Sequence, residues 1–120
     1  MQSDTLKATD DYSAAQATAP RVSLADMVGK IVGEFYFTGN QALQAINQAD
    51  GADYPYVHAL DVLTICILVM CNGFTIIGKS APASPENFDA EKGRRFAYED
   101  AIKQLWPLEG YALRERLSAR

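Results

Sequence analysis

Apolar side chains crowd most densely between Val62 and Ser80, VLTICILVMCNGFTIIGKS, and Asn72-Gly73 interrupts the run. Asn-Gly between two apolar segments is a strong hairpin signal, because a type I′ turn requires positive φ at both central residues. The flanks are rich in β-branched residues: Val62, Thr64, Ile65, Ile67 and Val69 before the turn, Thr75, Ile76 and Ile77 after it. Such side chains lose χ1 freedom in a helix and pack well on a pleated surface. The pattern predicts antiparallel strands over about 62–70 and 74–80. A two-residue loop sets Cys71 opposite Phe74 and Val69 opposite Ile76, and alternation then sorts the faces. Leu63, Ile65, Ile67, Val69, Cys71, Phe74 and Ile76 form the expected core face. Thr64, Cys66, Leu68, Met70, Thr75, Ile77 and Lys79 form a mixed face, which must meet helices, a second copy of the chain or a ligand.

Upstream, Leu24, Met27, Val28, Ile31, Val32 and Phe35 recur at helical spacing behind Ser23, with Asp26 at the capping-box position. Gly29 and Gly33, one turn apart, suggest that another backbone approaches that helix. Glu34-Phe-Tyr-Phe-Thr38 leaves it, and Thr38 is placed to cap a shorter second helix carrying Ala42, Leu43, Ala45, Ile46 and Ala49. Asp50 to Asp61 reads as a loop.

Downstream, Ala81-Pro-Ala-Ser-Pro85 is an extended connector, and Ser84-Pro85 suits a helix start, with Asn87 and Asp89 as further acceptors for free N–H groups. A long helix follows to about Trp106, with Ala90, Gly93, Ala97 and Ala101 forming a small-residue seam that can lie close on a neighbour. Pro107 is expected to end it, and Leu113 and Leu117 to mark a short final helix. Residues 1–21 are mostly Ser, Thr, Ala, Gln and Asp, too poor in large apolar groups to offset ordering entropy, and are expected to be a disordered tail. The expected fold is therefore one small α+β domain over 22–120: a central hairpin covered by two N-terminal helices, a long C-terminal helix and a short final one.

Two sharper readings of the apolar stretch fail on their chemistry. As a membrane span it would place a turn at mid-depth, with backbone groups unpaired in lipid. Gly73-Phe-Thr-Ile-Ile-Gly78-Lys79-Ser80 matches the phosphate-loop pattern formally. That loop needs a pliable backbone running into a helix N-terminus. Phe-Thr-Ile-Ile is strand-forming, and Ala81-Pro-Ala-Ser-Pro85 cannot open a helix there.

The net charge of −4 argues against duplex nucleic acid as a partner, and from Glu86 onward seven acids balance seven bases, leaving no basic stripe. Cys66 and Cys71 lie five apart on one strand and so point to opposite faces, which makes them two reduced thiols rather than a pair. With His58 they fall short of a metal set, and no other cofactor is implied. His58 has no nucleophile or carboxylate placed beside it by spacing, so no catalytic residue is assigned.

Several short motifs follow one another in order and at close spacing: Glu34-Phe-Tyr-Phe-Thr38; Leu63-Thr64 with Cys66; Asn72-Gly73-Phe74-Thr75; Gly78-Lys-Ser-Ala81; Ser84-Pro-Glu-Asn-Phe-Asp-Ala-Glu91; Gly93-Arg94; and Trp106-Pro-Leu-Glu-Gly-Tyr111. Over about two thirds of its length, from Glu34 onward, the chain resembles a family of small tailed-phage accessory proteins. The resemblance implies that Glu often stands where this chain has Lys79, which also weakens the phosphate-loop match. The resemblance implies a phage-encoded protein made in the host cytoplasm, and it brings no catalytic residue.

Most of the motif residues have turn and cap duties. Glu34, Tyr36, Thr64, Lys79, Ser80 and Arg94 do not, and are the candidate ligand-binding residues; Cys66, Met70 and Tyr98 are candidate interface residues. The leading expectation is a non-enzymatic homo-oligomer that counters a host function by holding a small anionic, nucleotide-type host signal. One alternative is a protein inhibitor of a host enzyme or transcription factor, acting through a strand edge or the Arg94–Tyr98 face. A third is a small enzyme using His58 or Cys66.

Overall fold

A computed structural model describes residues 3–16 and 19–119. Three antiparallel strands in the order β1-β2-β3 form the sheet: β1 (Ile31–Thr38), β2 (Thr64–Met70) and β3 (Thr75–Ser80). Four helices accompany them: α1 (Asp4–Gln16), α2 (Leu24–Gly29), α3 (Gly39–Asp50) and α4 (Ala90–Ser118). The chain is an α+β domain, and the hairpin of β2 and β3 lies where the sequence places it.

The turn, however, is one residue longer than Asn-Gly implies. The Gly73 N–H donates to the Met70 carbonyl at 2.8 Å, and the Met70 N–H donates to the Phe74 carbonyl at 2.8 Å. Gly73 has φ of 87°, whereas Asn72 stays at negative φ. A type I turn followed by a left-handed glycine closes a three-residue loop, rather than the type I′ pair. Val69 therefore faces Thr75 and Leu68 faces Ile76. The slip inverts the expected faces of β2, while β3 keeps its own: Ile76 is buried and Thr75, Ile77 and Lys79 are exposed.

Thr64, Cys66, Leu68, Met70 and Ile76 are buried, while Ile65, Ile67 and Val69 are half-buried and Ile77 and Lys79 exposed. Size explains why the row with more hydrocarbon loses. α4 lies directly on the sheet through Gly93, Ala97 and Ala101, and the strand positions beneath it are also small: Thr64, Cys66 and Gly78. A Cβ at Gly78 would stand 2.0 Å from the Ala97 carbonyl oxygen, so helix and strand meet backbone to backbone. Small on small permits this approach, and an isoleucine row would not.

Ile31 to Thr38 is strand, not the continuation of the first helix. α2 is capped by Ser23, whose hydroxyl accepts from the Asp26 N–H at 3.0 Å, but it ends after six residues. Pairing with the free edge of β2, in the register Phe35 to Ile67 and Tyr36 to Cys66, outweighs the helical stripe of Ile31, Val32 and Phe35. Thr38 caps α3 with a full capping box to Gln41, and Gly51 closes that helix with φ of 67°.

The long helix starts at Ala90 with Asp89 as its N-cap; Ser84 and Pro85 open a 3₁₀ turn instead. It continues through Pro107 for 29 residues in all, so the expected stop and the separate final helix are both absent. The stretch expected to be a disordered tail holds α1; its residues 1, 2, 17 and 18 lie outside the described ones. The Ser3 hydroxyl donates to Glu99 at 2.6 Å, and Leu6 packs against the core.

Candidate functional site

The candidate residues separate into three places. On the α4 side of the sheet, the Tyr36 hydroxyl donates to Glu34 Oε1 at 2.5 Å, and Tyr36 lies opposite Cys66. Cys66, Met70 and Tyr98, expected at an interface, are buried inside the chain, because the slipped register turns the row of Cys66 and Met70 under α4, which carries Tyr98. They leave no surface for a partner. Burial pushes the Cys66 thiol up to about 11, partly opposed by its hydrogen bond to Tyr36, and pushes Tyr98 up to about 12. Burial first, then the bond to Glu34, raises Tyr36 as well. A buried thiol held protonated is a poor nucleophile at neutral pH. His58 is exposed, its ring edge-on to Tyr56 at 5.2 Å.

Lys79 is exposed on the opposite face, and its backbone N–H donates to Asp100 Oδ2 at 3.0 Å. It is thereby parted from Thr64, which stands beside Ser80 in the register but points under α4.

The third place is the end of the sheet. Here Ser80, Asn87, Phe88, Asp89, Lys92 and Phe96 line a cleft of about 220 Å³, with Gly93 also in its wall. It forms where the segments Gly78 to Ala81 and Ser84 to Glu91 meet, so two separate sequence motifs fold into one concavity. Behind that wall is Thr64, whose Oγ1 would stand 2.7 Å from a Cβ at Gly93.

One carboxylate, Asp89, lines the cleft, and a second, Glu86, precedes Asn87 in the chain. Asp89 accepts from the Lys92 N–H at 3.0 Å, and that bond above all holds its carboxyl below the ordinary value, with Lys92 and Arg94 adding attraction. Glu86 is also held low, by its own backbone N–H and by the Ser84 hydroxyl at 2.9 Å. Both are charged at neutral pH. Lys92 and Arg94 oppose them, and the Arg95 guanidinium lies 5.8 Å from the Phe96 ring centroid. Hydroxyl, amide, ammonium and two aromatic rings together can orient a polar ligand with a flat apolar part.

Of the sequence candidates, only Ser80 lines this cleft; Arg94 is within electrostatic reach of it, and Thr64 stands behind it. Asn87, Phe88, Lys92 and Phe96 were not singled out. Helix-cap chemistry accounts for Asn87 in the sequence, Phe88 and Phe96 read as flanks of the small-residue seam, and Lys92 carries no signal of its own.

No helix among the described residues is long and apolar enough to cross a membrane. Comparisons with curated proteins and with solved structures return no match. The sequence profile described as phage protein (N4 Gp49/phage Sf6 gene 66) family matches residues 22–117, which takes in the whole sheet and the cleft residues. With most of its length matched, the chain belongs to the phage protein (N4 Gp49/phage Sf6 gene 66) family.

Proposed function

We propose that this chain is a non-enzymatic phage accessory protein that acts in the host cytoplasm as a homo-oligomer. It counters a host function by holding a small anionic, nucleotide-type signal. The observation that carries the reading is the cleft between the end of β3 and the start of α4, whose lining joins Ser80, Asn87 and Lys92 to Phe88 and Phe96, with the Asp89 carboxylate taken up by the Lys92 N–H. A lysine ammonium and a hydroxyl suit a phosphate, and an aromatic wall suits a base. At about 220 Å³ the cleft takes one nucleotide unit, such as a base or a phosphorylated ribose, rather than a whole dinucleotide.

Thermal-shift and calorimetric titrations against cyclic nucleotides and ADP-ribose-type nucleotides test the proposal. At least one should raise the melting temperature, and Lys92→Ala and Phe96→Ala should each weaken its binding by about tenfold, an ordinary loss for one charged or stacking contact. Both side chains are at the surface, so the variants keep the fold. A protein unshifted by every nucleotide overturns the reading. Stoichiometric recovery of a host protein in its place favours the inhibitor alternative.

A further inference from the structure

The sheet has two faces and only one is covered. α4 packs on the face of Cys66, Leu68 and Ile76. The other presents Phe35, Phe37, Ile65, Ile67, Val69 and Ile77, in the cross-strand rows Phe35–Ile67–Ile77 and Phe37–Ile65–Lys79. Phe35 is 58% exposed, Ile77 59%, and Val32 at the end of the same strand 67%. A Cβ at Gly33 would stand 2.9 Å from the Phe35 ring. The ring is thus folded down over Gly33, which keeps this face flat.

Shape gives a second, independent sign. The molecule measures 56 × 31 × 18 Å with a radius of gyration of 17.5 Å. A globular chain of this length has about 14 Å. Eighteen ångströms is the depth of one sheet and one helix layer, so a sheet apolar on both sides ends in solvent on one of them.

We propose that this open face is the contact between two copies of the chain, stacked sheet on sheet with α4 outermost on each side. The inference refines the homo-oligomer of the proposed function and rests on that reading only there, since it needs no ligand.

Three considerations favour a second copy as the occupant. The first is area. Strands of seven residues, about 4.8 Å apart, give a three-stranded face of roughly 300 Å² in projection and roughly twice that in accessible surface. Two such faces bury roughly 1,200 Å², where stable interfaces begin. The second is charge. Lys79, at one corner, is the single ionic group in these rows, so the face offers nothing for a charged partner to match.

The third is self-complementarity. A two-fold axis parallel to β2 sets Phe35 of each copy over the partner's Ile77, and Ile67 over the partner's Ile67. It also sets Lys79 over the partner's Phe37, a cation on an aromatic face, and keeps the two lysines apart. Aligned sheet packing about 10 Å apart accommodates this arrangement.

Sedimentation and native mass spectrometry of the full chain, without ligand, test the proposal. Wild-type protein should run at twice its 13.1 kDa or an even multiple. The double variant Phe35→Thr, Ile77→Lys should fall to the next smaller species with its circular dichroism unchanged. A wild-type monomer at about 0.1 mM overturns the inference, as does an oligomer that the double variant leaves intact.

If the double variant does not fold, Ile77→Cys in a Cys71→Ser background decides, because Cys66 is buried and Cys71 exposed. Thiol labelling at position 77 should slow at least tenfold as concentration rises into the dimer range. Labelling independent of concentration overturns the inference. A dimer that ignores every nucleotide keeps this interface and removes the ligand reading; a monomer that binds one does the reverse.

Discussion

Thr64 Oγ1 is buried and, among the described residues, the one such side-chain oxygen without a hydrogen-bond partner. A buried hydroxyl left unsatisfied costs about 1–3 kcal/mol. Thr64→Val keeps the branched shape against Gly93 and removes that cost. Urea unfolding should show stability unchanged or raised by about 1 kcal/mol; a loss of that size would mean that the hydroxyl is in use. Sequence reasoning reached Thr64, since a polar residue in an apolar strand with no local duty stands out. It did not reach Lys92 or Phe96, because a charged side chain on a helix needs no explanation, and an aromatic one beside a packing seam already has one, until a second segment folds against them. The strand faces were misassigned for an equally local reason. Asn-Gly is compatible with a two-residue or a three-residue loop, and the difference of one residue moves every side chain of β2 to the other side.

At the scale of elements, α1 shows how polar anchors can hold a segment that hydrophobicity alone would leave loose. Asp10 Oδ1 accepts from the Leu24 N–H at 2.8 Å and from Arg21 Nη1 at 2.9 Å, fastening α1 to the start of α2. The Leu24 N–H foremost, then Arg21, lowers the Asp10 carboxyl below its ordinary 3.8. A lowered carboxylate stabilises the folded state above the unfolded value and loses that stabilisation as pH falls through the folded one. The docking of α1 should therefore weaken below about pH 4. Asp10→Asn keeps an acceptor but not the charge. It should cost about 1 kcal/mol at neutral pH and abolish this acid dependence. Hydrogen exchange reads it as faster exchange in α1 with α4 unchanged; equal loosening of both helices would count against a local clamp. No such anchor is visible from Ser, Thr and Asp content, which is why the segment resembles a tail. The run of α4 through Pro107 is likewise a tertiary effect: Leu105 is buried ahead of it, and beyond it Glu109 accepts from Lys30 Nζ at 2.6 Å.

For the molecule as a whole, the α+β class, the hairpin and the small-residue seam of α4 were legible, since each rests on a local signal. The third strand was not. Ile31 to Thr38 satisfies helical and strand spacing alike, and the edge of β2 that decides between them lies some thirty residues away. The resulting core has a consequence for the whole chain. Cys66 and Tyr98 sit in one buried cluster with Tyr36 against it, and all three titrate above their ordinary values. For an acid held neutral by burial, the folded state keeps its proton longer than the unfolded one. The stabilisation is complete below the unfolded value and disappears as pH rises through the folded value. Cys66 moves from 9.0 to about 11 and Tyr98 from 10.0 to about 12, so stability should begin to fall near pH 9 and be lost towards pH 12. At about 1.4 kcal/mol per unit, each group contributes on the order of 3 kcal/mol. Tyrosinate absorbance and circular dichroism, followed together, should show part of the tyrosine signal appearing only as the helices melt. Tyr98→Phe should move that midpoint upward, because the group whose ionisation drives unfolding is gone. A midpoint unmoved by Tyr98→Phe, or tyrosines that all ionise before the helices melt, would show that this cluster does not hold the fold together at high pH.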